Sequence, residues 1–205
     1  MSAILDKPKL TPADLLRLPK DRRYELVDGE LVEKPMAWTS AVVTAHLVRL
    51  LVDYCEESDA GVVANSNASY CCFPNKPNQV RKPDISFIRR ERITPALWEP
   101  GYLRIRPDLV VEVVSPTDEV AEVDKRIRDY QEAGVPLIWV VHPESRQVDV
   151  HRLGERGEIL GEGEELRGEP VLPGFRVAVR EIFQPLERYG AGGGTEQHGS
   201  KPSVE

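Results

Sequence analysis

The sequence predicts an α+β protein of α/β/α layers, in which helices flank a mixed β-sheet. Two amphipathic stretches show helical spacing of apolar residues, one from Thr39 to about Glu57 and one in SPTDEVAEVDKRIRDYQEAG. Between them stand short strand-like runs separated by Pro, Asn and Gly: GVVAN, ASYCCF, PDISFI and DLVVEVV. Another apolar run, VPLIWVV, follows the second stretch. This order of helix, strands, helix and strand is typical of a sheet covered by helices.

A short helix is predicted in LTPADLLRLP, near the start of the chain. Thr11 is suited to cap it, because a threonine hydroxyl can accept a hydrogen bond from the first helical turn. Pro12 fits the first helical position, and Asp14 lies near the positive end of the helix dipole.

An N-terminal β-hairpin is predicted in RRYELVDGELVE, because the Asp-Gly pair is a strong signal for a two-residue turn. Pairing across that turn aligns Leu26 with Leu31 on one face. The same register places Glu25 and Glu30 together on the other face, where both could serve a polar site.

The second amphipathic stretch is expected to have Thr117 or Asp118 as its N-cap and to stop at Gly134. RQVDVHRL and GEILGEGEELRGE are predicted to add further hairpin strands, and VLPGFRVAVREIF closes this C-terminal β extension. We expect a single domain over residues 1–187 and, from its Gly-rich composition, a flexible tail over residues 188–205.

The composition excludes a membrane-spanning protein and favours a cytoplasmic one. No window contains the roughly eighteen consecutive apolar residues that a membrane helix needs, and the first residues lack the pattern of a secretory signal. Cys55, Cys71 and Cys72 are too few and too poorly spaced for a disulfide scaffold or a zinc site. We therefore interpret them as reduced packing residues.

Basic residues are concentrated in one part of an acidic chain. The net charge of -7 argues against an obligate nucleic-acid binder. Between residues 76 and 106, however, eight basic residues stand against three acidic ones, a local charge of +5. Such a stripe can contact a phosphate backbone, although charge runs also occur as plain solvated surface. The candidate nucleic-acid contacts are Arg81, Lys82, Arg89, Arg90, Arg104 and Arg106.

A single carboxylate, Glu112, interrupts the apolar run DLVVEVV. In a buried strand an isolated charge is costly unless a partner, a proton or a metal compensates it. Strand alternation puts Asp84 of PDISFI on the matching face, so the two acids converge if their strands are neighbours. Converging carboxylates repel each other unless a cation lies between them or one of them is protonated. Magnesium suits such a pair, because it takes oxygen ligands and needs only one or two protein carboxylates.

Four segments together carry a family likeness: YELVDGEL, KPDISFI, PDLVVEVVSP and YQEAGVPLIWVVHPE. In this order and spacing they resemble the Uma-type restriction endonuclease family, a branch of the PD-(D/E)XK nuclease superfamily. The likeness covers about residues 8 to 187. It implies a restriction-endonuclease-like core and metal-dependent hydrolysis of DNA, with Asp84 matching the motif's aspartate and Glu112 its second acid.

The chain departs from the superfamily pattern at the lysine. That lysine would lie two residues after the second acid, where this chain has Val114. In the resembled branch a lysine tends to lie in the following helix, at the position of Arg126, with Lys125 beside it. Arg126 is the better placed of the two on a helical wheel, but an arginine cannot serve as a neutral base. Either residue remains a candidate catalytic cation.

A third acid often completes such sites, and Glu30 is favoured over Glu25 as a further metal ligand. The sequence therefore leads to two hypotheses. The first is a Mg²⁺- or Mn²⁺-dependent DNA endonuclease, for which a homodimer is the expected assembly because cutting both strands often needs two active sites. The second is a catalytically impaired module on the same fold, which binds nucleic acid or another protein.

Overall fold

The N-terminal elements form as the sequence predicts. The computed structural model of the protein describes residues 8–18, 24–34 and 37–189. In helix α1 (Pro12–Arg17), Thr11 and Asp14 cap the first turn reciprocally. Strands β1 (Tyr24–Val27) and β2 (Glu30–Glu33) pair in the predicted register. The Asp-Gly turn between them has positive φ angles of 52° and 84°, which suits a tight hairpin.

A six-stranded mixed sheet follows the long helix α2 (Trp38–Ser58). All neighbouring strands are antiparallel except β5 and β6, which are parallel and are connected through helix α3 (Val120–Glu132). In order across the sheet, the strands are β3 (Gly61–Asn65), β4 (Ile85–Arg89), β5 (Leu109–Val113), β6 (Leu137–His142), β7 (Gln147–Arg152) and β8 (Glu158–Leu160). The predicted helix-flanked mixed sheet is confirmed.

The centre of the sheet is buried on both faces. Odd-numbered residues of β5, such as Val111, belong to a core with the α2 residues Leu47 and Leu51. Its even-numbered residue Val110 belongs to a second core with Tyr130 of α3. Each such side chain contributes about 1.5–3 kcal/mol when fully buried. A strand covered on both sides explains the nearly continuous apolar run around Glu112.

The C-terminal region adds a two-stranded sheet and two short helices. These elements are β9 (Glu165–Arg167), β10 (Arg176–Ala178), α4 (Val179–Ile182) and α5 (Gln184–Tyr189). Helix α5 continues to Tyr189, two residues into the stretch for which the composition predicts a flexible tail. Residues 190–205 lie outside the described residues. Within the described ranges, no helix is long and apolar enough to cross a membrane.

Two local predictions were wrong. ASYCCF is not a strand, since Tyr70 makes only isolated bridges, to Arg81 and to Leu103, and a proline follows the segment and cannot donate a hydrogen bond. Helix α3 begins later than predicted and has Glu119 as its N-cap, without a side-chain cap. Asp118 instead accepts a hydrogen bond from the backbone of Ser115.

Candidate active site

The pairing of β4 with β5 brings Asp84 and Glu112 together. Ile85 pairs with Val111 in this antiparallel ladder, so one further step places Asp84 opposite Glu112. The Asp84 carboxylate also accepts a hydrogen bond from the backbone N–H of Val113 at 2.8 Å. The predicted convergence of the two acids therefore occurs, and it depends on the strand register.

A cation that the sequence interpretation missed lies between them. Lys34, directly after β2, has its Nζ 2.8 Å from Asp84 Oδ1 and 3.1 Å from Glu112 Oε2. The same nitrogen donates to the backbone carbonyl of Lys82 at 2.8 Å. An ammonium has three N–H donors. Each donor of Lys34 therefore has an oxygen acceptor, and both carboxylates face one point.

Burial and charge act in opposite directions on these groups. Burial alone would lower the pKa of Lys34, but Glu112 and Asp84 outweigh it and hold that pKa above its usual range. Burial likewise favours a neutral Glu112, yet Lys34 and Arg126 lower the Glu112 pKa. Burial raises the pKa of Asp84, although Lys34 opposes it. Glu112 is therefore the better compensated of the two acids.

Helix α3 supports Glu112 from the other side. The Tyr130 hydroxyl donates to Glu112 Oε1 at 2.8 Å. Burial, together with the neighbouring Glu112 carboxylate, raises the pKa of Tyr130 well above its ordinary value, so that this donor stays protonated. Arg126 places its Nε 3.6 Å from Glu112 Oε2 and donates from Nη2 to Asp118 at 2.6 Å. Tyr130 and Arg126 are thus the α3 residues that lie next to Glu112.

A pocket of about 510 Å³ opens beside the acids. One wall is helix α2, whose small side chains at Ala41 and Ala45 leave the space open. The charged lining residues are Lys34, Asp84 and Asp118. The pocket therefore gives access to Asp84 and Lys34, whereas Glu112 itself is 1% exposed.

A second charge cluster fixes the hairpin and α3 beside this site. Arg81 is 1% exposed and donates to Glu25 at 2.7 Å and, from Nε, to Asp129 at 2.8 Å. Asp129 also accepts from Gln79, and Glu25 accepts from the backbone N–H of Lys82. The expectation that Arg81 contacts nucleic acid is wrong, because its guanidinium is enclosed by protein carboxylates.

Two other predicted residues lie away from the acids. Lys125 forms an ion pair with Asp28 of the hairpin turn at 3.1 Å. Glu30 is exposed on β2, and no group of three His, Cys, Asp or Glu side chains in the described part of the chain could hold a metal. Glu30 therefore does not complete the site as a third acidic ligand. Glu25, the other candidate, is engaged with Arg81.

The remaining members of the basic stripe differ in their surroundings. Arg90 and Arg104 are exposed, and Arg90 lies 3.7 Å from Asp59. Arg89 donates to the carbonyl of Pro170, and Arg106 lies 3.9 Å from Asp108. Lys82 is half-buried, and its backbone carbonyl accepts from Lys34 while its N–H donates to Glu25 of the second cluster. Among these residues, Arg90 and Arg104 are the most accessible to a phosphate backbone.

The oxygen atoms around Lys34 Nζ are suitable ligands for a divalent metal. They come from Asp84, Glu112 and the Lys82 carbonyl. Magnesium binds oxygen and typically takes only one or two carboxylates, so a third acidic ligand is not required. The lysine ammonium, however, lies at the point on which these oxygens converge. The ligand set fits a metal only when that ammonium moves away.

Nothing local in the sequence marks Lys34 as a site residue. Its contacts to Lys82 and Glu112 span 48 and 78 residues of chain. The available signal is weak: Lys34 is the sole lysine or arginine between positions 24 and 48. Asp118 was likewise interpreted only as a helix cap, whereas it lines the pocket and pairs with Arg126.

Comparison with known proteins agrees with this architecture. A family model described as "Putative restriction endonuclease", Uma2, matches residues 12–180. No curated protein matches the chain significantly. The crystal structure of a putative nuclease of the DUF820 group from Anabaena variabilis ATCC 29413 is similar in fold. It superposes with a TM-score of 0.73 and 20% sequence identity, covering 85% of this chain and 98% of that one. The chain thus belongs to the Uma2 family of putative restriction endonucleases.

Proposed function

We propose that the protein is a divalent-metal-dependent DNA endonuclease in which Asp84 and Glu112 hold Mg²⁺ or Mn²⁺. The observation that supports this function best is the convergence of both carboxylates on one point beside an open pocket. Membership of the Uma2 family supports the reaction class. The Lys82 carbonyl is a further oxygen ligand within the same set.

Each residue of the site has a defined task in this proposal. A bound divalent ion would lower the pKa of a water molecule and offset charge on the phosphoryl group. Tyr130 and the Val113 N–H hold the two carboxylates in place. Arg126 offers fixed N–H donors to a charged phosphoryl group but cannot remove a proton. Arg90 and Arg104 dock the DNA backbone, which confers salt dependence rather than sequence choice.

A catalytically impaired module, binding nucleic acid or another protein, is the second candidate. It is favoured by the Lys34 ammonium, which occupies the position that a metal would need. The ion pair of Arg126 with Asp118 at 2.6 Å favours it as well, because that guanidinium is already engaged. If the protein is a nuclease, the Lys34 ammonium leaves the two carboxylates when metal binds, and the Arg126 guanidinium leaves Asp118 when DNA binds.

Nicking of supercoiled DNA in Mg²⁺ or Mn²⁺ distinguishes the two candidates. We expect the parent protein to nick, and Asp84→Asn and Glu112→Gln to lose at least about 100-fold of that activity, since metal chemistry supplies several kcal/mol. Asp108→Asn is the matched control, because Asp108 is also buried and ion-paired, with Arg92 at 2.6 Å, but lies outside the site. We expect this variant to nick normally.

Two results would contradict the nuclease proposal. Equal nicking by the parent and both site variants would place the activity elsewhere. A parent protein that neither nicks DNA nor binds metal would favour the non-catalytic module. A homodimer is part of the proposal, and it predicts linear products together with nicked circles, because two sites would act on opposite strands.

A further inference from the structure

We propose that Lys34 is a tethered cation that occupies the metal position, so that a divalent ion binds to Asp84 and Glu112 only by displacing it. This inference rests on the proposed metal ligands and goes beyond them. It assigns to Lys34 the control of how tightly the site binds metal.

The positions of ammonium and metal coincide. Lys34 Nζ lies 2.8 Å from Asp84 Oδ1 and 3.1 Å from Glu112 Oε2, on the point that both carboxylates face. Its third hydrogen bond, to the Lys82 carbonyl, uses the remaining oxygen of the set. A magnesium ion needs its oxygen ligands at about 2.0–2.1 Å. The same oxygens therefore cannot serve both cations at once.

The site needs a cation before metal arrives. Glu112 is 1% exposed and Asp84 is 18% exposed at the side chain, and the two would otherwise repel each other. Glu112 has further cationic and hydrogen-bonding neighbours in Arg126 and Tyr130, whereas Asp84 accepts a hydrogen bond from the Val113 N–H besides its ion pair with Lys34. Lys34 thus compensates Asp84 above all.

The surroundings of Lys34 allow it to leave. Lys34 directly follows β2 and lies outside any strand, and its side chain lines the 510 Å³ pocket. A lysine carries a point charge on a flexible four-carbon stem, unlike the rigid fork of an arginine. The released ammonium would therefore remain in the pocket, in water, rather than in the protein interior.

The local charges favour the exchange. Three carboxylates, from Asp84, Glu112 and Asp118, lie around two cations, Lys34 and Arg126. The carboxylates therefore carry one more negative charge than the two cations neutralise. A divalent ion in place of the Lys34 ammonium would neutralise that remaining charge. Metal binding is favourable for that reason, but its affinity is lowered by the free energy needed to displace the Lys34 ammonium.

Calorimetric titration of the full chain with MnCl₂ or MgCl₂, without DNA, tests the inference. We expect Lys34→Met and Lys34→Gln to bind the metal at least about tenfold more tightly than the parent protein. The control is Lys76→Met, which removes a lysine from another buried carboxylate, Asp129, at 2.6 Å. We expect its metal affinity to match that of the parent within about twofold.

Thermal unfolding provides a second measurement on the same proteins. The metal-free Lys34 variants should unfold at a lower temperature than the parent. Added Mn²⁺ should raise their unfolding temperature by more than it raises that of the parent. If Lys34→Met fails to fold, Lys34→Gln decides, because an amide can still hydrogen-bond to the two carboxylates. Metal affinity in the Lys34 variants equal to or weaker than that of the parent would overturn the inference.

The two proposals fail in different ways. A parent protein that nicks DNA, with Lys34 variants that bind metal no more tightly, would leave the endonuclease standing and remove the role of Lys34. Tighter metal binding by the Lys34 variants without any nicking would support the exchange and contradict the nuclease.

Discussion

Two buried charge clusters lie side by side in this fold, and each has two acids around one central cation. In the first, Arg81 lies between Glu25 and Asp129, and all three side chains are at most 2% exposed. In the second, Lys34 lies between Asp84 and Glu112, and its side chain is 15% exposed beside a pocket.

The difference between the central cations suggests different tasks. A guanidinium presents a rigid fork of donors, so the Arg81 cluster fixes the hairpin, the 76–81 segment and α3 against one another. An ammonium on a flexible stem next to open space can be exchanged for another cation. We infer that the enclosed Arg81 cluster holds structural elements together, whereas the Lys34 cluster, which borders a pocket, can bind a ligand.

Removal of the enclosed cation should have the largest effect on stability. Arg81→Met leaves Glu25 and Asp129 buried and less compensated, and breaking such a pair costs about 3–5 kcal/mol. We expect that loss in the free energy of unfolding, measured by urea denaturation. The metal-free Lys34→Met protein should lose less, because Asp84 can reach solvent. An equal or greater loss for Lys34→Met would contradict the proposed distinction.

A smaller effect is expected for the cation on α3. Arg126→Gln removes a donor group near Glu112 and should lower nicking activity by about tenfold, or about 1.4 kcal/mol. Lys125→Met is the matched control, because Lys125 is the neighbouring residue but pairs with Asp28 on the hairpin turn. Its activity should stay within about twofold of the parent. Comparable losses in both variants would mean that position 126 has no special role.

The alternation of side chains along a strand was sufficient to predict the two acids of the candidate site. The buried acid at position 112 and the alternation of side chains in PDISFI predict the meeting of Asp84 with Glu112. The Asp-Gly turn predicts the hairpin register that carries Glu25. Both predictions depend on neighbouring residues in one or two strands, where the two-residue period of a strand decides which face a side chain occupies.

The remainder depends on contacts between distant parts of the chain. Arg81 was grouped with surface arginines because a charge count cannot show which charges are neutralised inside the fold; its partners lie 48 and 56 residues away. Lys34 was missed for the same reason, since its acceptors come from other elements. The family resemblance pointed to positions 125 and 126, and helical spacing favoured Arg126 because it lies one turn before Tyr130, which contacts the same acid.

The central claim is that Asp84 and Glu112 together hold one divalent ion. Its most direct test is the stoichiometry and affinity of Mn²⁺ binding, measured by calorimetry on the parent protein, Asp84→Asn, Glu112→Gln and the control Asp108→Asn. We predict one ion per chain in the parent and in the control, and a loss of at least about tenfold in affinity for either site variant. Undiminished binding in both site variants would contradict the claim.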